Sequence, residues 1–158
     1  MAPPRSATWE QNLPLRLRFE RAARAAYPNM RCTTVGHRRY ARVAYIVRVP
    51  VAEHAPRLTE LHFRRTSAEP ALTRIYADGP IESPHRYAPH PKDRRQRPSL
   101  CIWYPSDSPD LRWVPSDGLL SLIEMTRIHL YKEAYWRETG EWLGEEVPHN
   151  QRALAKAC

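Results

Sequence analysis

Between Asp78 and Pro98 the chain holds five prolines, Pro80, Pro84, Pro89, Pro91 and Pro98, together with the charged run Lys92-Asp-Arg-Arg-Gln-Arg97. Proline fixes φ and has no N–H to donate, so this stretch can run neither as a helix nor as a paired central strand. A connection of about 20 residues inside a compact domain is unusual and more often functional than not. It divides the 158 residues into two patterned regions, one before it and one after. A chain of this length is expected to form one domain over 1–158 with one real core.

Before the break, residues 1–11 read as a mobile or loosely docked tail. Asn12 followed by Pro14 is a helix start. Leu15, Phe19, Ala22, Ala23 and Ala26 then fall near one face at helical spacing up to Tyr27, and Pro28-Asn29 ends the helix. The period then changes. Arg31–Val35 and Arg39–Val51 read as strands around Gly36-His37, Thr59–Thr66 alternates with Leu61 and Phe63 on one face, and Leu72–Tyr76 is a fourth strand. Short Pro- or Gly-containing turns separate them, which predicts an antiparallel meander.

After the break comes a short apolar segment, Ser99-Leu-Cys-Ile-Trp-Tyr104, and a second loop, Pro105–Pro115. Ser116 and Asp117 open a helix over 117–138 with Leu119, Leu120, Ile123, Leu130 and Tyr131 at core spacings, and Gly140 stops it. Asn150 is placed to cap a last short helix over Gln151–Ala157. The predicted class is α+β: an N-terminal helix, a four-stranded antiparallel meander, a long loop and C-terminal helices.

Cys101 is the candidate for chemistry. It follows the long loop, which carries His85, His90 and five cations, and it neighbours Trp103 and Tyr104. Nearby positive charge lowers a thiol pKa, and thiolate is the nucleophile that acyl transfer uses. The competing reading is a small buried hydrophobe in a strand. Cys32 sits in a plain strand pattern and Cys158 ends the sequence. Three cysteines imply no disulfide framework, and the reducing cytoplasm is the expected compartment. The seven histidines form no HExxH-like pair, so no metal is expected. With five glycines and no GxGxxG or GxxxxGK[ST], no phosphate-cradling loop and no cofactor are expected. A Cys–His hydrolase would need His129 or His149 brought to Cys101 in space.

From His90 to Trp113 the order of features resembles the ubiquitin-conjugating enzymes. The counterparts are His90-Pro91, Leu100-Cys101-Ile102, Trp113-Val114-Pro115 and the helix from Leu119 onward. With the first helix and the meander, the resemblance covers roughly residues 12–138. The ending Tyr135-Trp-Arg-Glu-Thr-Gly-Glu-Trp-Leu-Gly-Glu-Glu-Val-Pro-His149 is similar more narrowly to the conjugating-enzyme-like proteins of bacterial CBASS antiviral operons. The resemblance implies a UBC-like fold, a catalytic Cys101 supported by His90, Pro91 and Trp113, and a cGAS-like nucleotidyltransferase as partner. That partner's C-terminus would be held as a thioester and passed to an amine. Lys92 stands where the eukaryotic enzymes have Asn after His-Pro, and the 11-residue step from His90 to Cys101 is longer than usual there. The sequence holds no activating-enzyme domain, so a separate activating enzyme, or direct reaction with the partner, is implied.

The net charge is +8, unevenly spread: residues 1–100 carry 19 Lys+Arg against 8 Asp+Glu, and residues 101–158 carry 6 against 9. Arg94, Arg95 and Arg97 are either a solvated loop face or a contact to an acidic protein partner. A basic nucleic-acid-binding domain is a second reading, and a catalytically inactive binding protein on the same fold a third. Many of the arginines fall on opposite parities of strands, so nucleic acid is not the expected partner. Charge-free apolar stretches such as Val43–Val47 are far too short to span a bilayer. The first residues lack the apolar core of a secretory signal, so no membrane partner is expected.

Overall fold

The computed structural model describes residues 8–37, 40–91, 93, 95–104 and 107–144. Helix α1 spans Leu13–Ala26, strands β1 to β4 span Arg31–Val35, Arg42–Val51, His54–Arg64 and Ala71–Ala77, and α2 spans Gly118–Thr139. A second, two-stranded ladder pairs β5, Arg86–Tyr87, with β6, Ser99–Leu100. The four long strands form an antiparallel meander in sequence order. The architecture is α+β, a four-stranded antiparallel sheet with two helices, broadly consistent with a UBC-like fold.

Each element follows from its residues. The Asn12 side chain accepts the Leu15 N–H at 3.2 Å, capping α1. In β2 the odd positions Val43, Tyr45, Val47, Val49 and Val51 are buried, as alternation requires. They face the helices: α2 packs on β2, and α1 packs on α2. Gly140 ends α2 in the left-handed region at φ 78, donating to the Trp136 carbonyl. Gly36 has φ 79, and a Cβ there would lie 2.9 Å from the Tyr40 carbonyl oxygen, so the turn before β2 admits only glycine without strain.

Five rings tie these layers together. Phe19 of α1 meets Trp9, Tyr45, Phe63 and Trp113 edge to face, at centroid distances from 5.5 to 6.1 Å. The Trp9 indole N–H donates to the Arg64 carbonyl at 3.0 Å, and the residue is 1% exposed.

Several expectations are corrected. The stretch Trp9–Gln11 is a 3₁₀ turn of the folded body, not tail; a single large indole outweighs the polar residues around it. Strand β3 starts at His54, five residues before the expected start. Pro56 lies within the strand because the β2–β3 register shifts between Val49 and Val51, and such a bulge tolerates prolines that cannot join a regular ladder. The proline-rich stretch does contribute two residues to a ladder, in β5. Tyr131 is 39% exposed, because the buried stripe of α2 runs through Leu119, Leu122, Ile123, Thr126, Leu130, Glu133 and Ala134. Ala22 and Ala26 are exposed, and the inward face of α1 is Phe19, Glu20 and Ala23. The helix expected over Gln151–Ala157 lies outside the described residues.

Replacing Trp9 with Ala should cost about 3–5 kcal/mol, the range for deleting a buried aromatic. Urea unfolding checks this; a loss under about 1 kcal/mol would place Trp9 outside the cooperative core.

Candidate active site around Cys101

The short β5–β6 ladder sets the position of Cys101. Arg86 pairs with Leu100 and Tyr87 with Ser99, and the ladder is extended by the Cys101 N–H donating to the His85 carbonyl at 3.0 Å. Leu100 and Ser99 are both buried, with Leu100 in the core cluster. Cys101 is the first residue past β6. Its Sγ lies 3.6 Å from the Trp103 carbonyl oxygen, which also accepts from the Tyr87 hydroxyl at 3.4 Å. Tyr104 closes a tight turn with Asp107: the Tyr104 N–H donates to Asp107 Oδ2 at 2.7 Å, and the Asp107 N–H to the Tyr104 carbonyl.

Cys101 is 7% exposed, so its thiol is buried rather than partly accessible at a site edge. Leu100 before it belongs to the core, and the Cys101 Sγ is held against the Trp103 carbonyl. Cys32, expected in the core, is half-buried. Burial is the largest influence raising the Cys32 thiol pKa, only partly countered by Arg16.

A two-residue ladder cannot hold itself, and α2 supplies the anchorage. Positions 129, 133 and 137 lie one above the other on the helix, four residues apart. His129 meets the His85 ring edge to face at 6.5 Å. Glu133 accepts two parallel hydrogen bonds from Arg86, Nε to Oε1 at 2.8 Å and Nη2 to Oε2 at 2.7 Å. Arg137 reaches the Pro80 and Glu82 carbonyls at 2.8 and 3.1 Å and donates to Glu133 at 3.0 Å. The Arg86 and Glu133 side chains are 3% and 0% exposed. Burial is the strongest influence on the Glu133 carboxyl and pushes its pKa up. The hydrogen bonds from His129 and Arg86 and their charges outweigh it together, holding it at about 2. His85 is itself enclosed, with its ring at 4.0 Å from that of Trp142 and Nδ1 at 2.8 Å from the Tyr104 hydroxyl.

The other residues singled out from the sequence are dispersed. Trp113 is a core residue: its ring packs on Phe19 and Phe63 and its N–H donates to the Gly118 carbonyl at 2.8 Å, fixing the start of α2. His90 opens a turn in which its carbonyl accepts the Asp93 N–H at 2.8 Å. Pro91 is exposed within that turn. His90 lines a groove on the outer face of the sheet with Glu60, His62 and Tyr76, and Cys101 is not in that lining. His129, weighed as a catalytic base, is engaged 3.4 Å from Glu133. Lys92, Arg94 and His149 lie outside the described residues.

The arginine run is used within the chain. Arg97 and Arg95 reach Glu60 Oε1 at 2.9 and 3.3 Å, and the Arg97 guanidinium lies 4.1 Å over the Tyr76 ring. Asp93 accepts the backbone N–H groups of Arg95 and Arg97. Glu60 is held at about 2, first by its hydrogen bond from His62, with Arg97 adding to it against burial. Glu60 and Glu133 were not singled out from the sequence. For Glu133 a signal was present, since a glutamate on the buried stripe of a helix demands a buried cation.

No three His, Cys, Asp or Glu side chains among the described residues gather as a metal site. No described helix is long and apolar enough to cross a membrane. A family model described as Type II CBASS E2 protein matches residues 20–150. No curated protein and no solved structure matches the chain.

Glu133→Gln leaves the Arg86 guanidinium buried without its counter-charge and should cost about 3–5 kcal/mol at pH 7. The folded carboxyl is depressed to about 2 from an ordinary value of 4.5, so the stability it supplies is full above about pH 4.5 and lost as pH falls toward 2. Urea midpoints across pH 7 to 2 should show wild type and variant converging over that window. A gap that stays constant with pH would mean the carboxylate charge is not what stabilises the pair.

Proposed function

The chain belongs to the Type II CBASS E2 protein family, and from that premise we propose that it is a conjugating-enzyme-like acyl transferase acting through Cys101. The thiolate attacks the activated C-terminal carbonyl of a partner protein, a cGAS-like nucleotidyltransferase. The group that activated the carbonyl leaves, and the partner is held as a thioester. An amine then attacks, the new amide forms, and the Cys101 thiol is released. A thioester suits such a transfer because it reacts with amines yet is slow with water, which favours cysteine over serine at this position. The chain's role is then to regulate antiphage signalling, in concert with a separate activating enzyme or by reacting with the partner directly.

The observation that supports this reading is the placing of Cys101. It is the first residue past a ladder clamped to α2, in the matched region. His90 and Pro91 are assigned the support of the loop that leads to it, and Trp113 the seating of α2. The transfer requires the thiol, 7% exposed at rest, to become accessible to the partner's carbonyl. Backbone N–H groups beside Cys101 would stabilise the oxyanion. Arg94, Arg95 and Arg97 are assigned to an acidic face of the partner. The Arg95 side chain is 69% exposed despite its pairing with Glu60, so it can be shared with a partner.

Two experiments test this. In a non-reducing gel with the nucleotidyltransferase and any activating enzyme, wild type should form a reductant-sensitive adduct. Cys101→Ala should form none while folding normally, at a cost near about 1 kcal/mol, and Cys101→Ser should give a reductant-resistant ester. If Cys101→Ala still forms the sensitive adduct, or wild type binds tightly and never forms it, the transfer fails. An inactive binding protein then takes its place. Separately, Arg95→Glu should slow association and flatten its salt dependence; an unchanged on-rate would make Arg95 solvated surface.

A further inference from the structure

The outer face of the sheet carries a groove of about 780 Å³, away from the helices that cover the other face. That is within the roughly 300–1,000 Å³ of small-molecule sites. Its lining includes Arg42 of β2 with His37 and Tyr40, and Arg74 of β4 with His62 and Arg97. Arg42 and Arg74 are both half-buried, and among the described residues neither makes an ion pair. The carboxylates in the same groove are committed: Glu60 to His62, Arg95 and Arg97, and Asp93 to the backbone of its own loop and Arg97.

A half-buried guanidinium without a counter-charge costs free energy, and two in one cleft also repel. With Glu60 and Asp93 already paired, the uncommitted charge in this cleft is positive, and a concave site focuses such a field on an incoming anion. Each guanidinium has five N–H donors, and among the described residues only Nη1 finds a partner, Arg42 with the Tyr40 and Ala41 carbonyls at 3.4 and 3.3 Å and Arg74 with Ser99 Oγ at 3.2 Å. The fork geometry of arginine matches phosphate oxygens. The Tyr40 side chain, 52% exposed, also lines the groove.

We infer that this groove binds a phosphate-bearing small molecule of nucleotide size, with its phosphates between Arg42 and Arg74. The inference is independent of thioester chemistry at Cys101 and survives its failure.

Isothermal titration of the full chain tests it with three probes: ATP, pyrophosphate and adenosine. ATP should bind tightest, pyrophosphate more weakly, and adenosine not at all. Arg42→Gln and Arg74→Gln should each weaken ATP binding about tenfold or more, the value of a lost charged hydrogen bond. Arg48→Gln removes an exposed charge elsewhere on the sheet and should leave binding unchanged. Circular dichroism and Tm establish that the variants fold; should Arg74→Gln unfold for want of its bond to Ser99, Arg42→Gln carries the test alone. The inference is overturned if ATP does not bind, if adenosine binds as well as ATP, if binding survives Arg42→Gln, or if Arg48→Gln weakens it equally.

Discussion

Everything at the candidate site depends on the buried pair between Arg86 and Glu133. A ladder of two residue pairs has almost no stability of its own, because ordering its backbone costs about 1–2 kcal/mol per residue. One further bond, from the Cys101 N–H to the His85 carbonyl, extends it, and Pro84 and Pro89 on either side of β5 have no N–H with which to continue it. The pair converts this weak element into a fixed one by joining β5 to the longest helix through two parallel bonds. Desolvating both charges is expensive, and the cost is met only because the geometry is bidentate and His129 and Arg137 add further contacts to the same carboxylate. Such a pair adds little net stability over two apolar residues, but it fixes register. Only one position of the loop places a cation on Glu133, and Cys101 is thereby set at the end of β6.

The same helix reads the loop at three successive turns. Arg137 holds the carbonyls of Pro80 and Glu82, Glu133 holds Arg86, and His129 faces His85. Proline-rich backbone has few N–H donors but ordinary carbonyls, so an arginine is well suited to fasten it. The long connection between sheet and helix is therefore a strap bound along α2, and its sequence meets the chemistry of that helix step by step.

Much of the fold was legible because it rests on periodicity. The β-branched and aromatic run in Arg39–Val51 marked the strand that the structure places at Arg42–Val51, and the caps Asn12 and Gly140 bounded both helices to within a residue or two. What was not legible depends on contacts distant in sequence. Trp9 looked like tail because nothing local to it is apolar; its partners are Phe19, Phe63 and the Arg64 carbonyl. The arginine run looked solvated or partner-facing because Glu60, which receives Arg95 and Arg97, lies 35 residues away from Arg95 on β3. Cys101 was found by its neighbours in sequence, but its burial depends on pairing with a segment far from it, through the His85 carbonyl and β5, which no spacing rule describes.

The two faces of the sheet converge on strand β6. From the helical side, Glu133 fixes Arg86 and, through the ladder, Leu100. From the outer side, Arg74 donates to Ser99 Oγ, and Arg97, two residues earlier, is fastened by Glu60 and Tyr76. Strand β6 is thus gripped from both sides. Past it, the Tyr104 N–H donates to Asp107, the Tyr104 hydroxyl meets His85, and a long bond runs from Tyr87 to the Trp103 carbonyl. A strand held from both faces fixes the backbone that aims the Cys101 thiol, so its place at the end of β6 is set before the chain leaves the ladder.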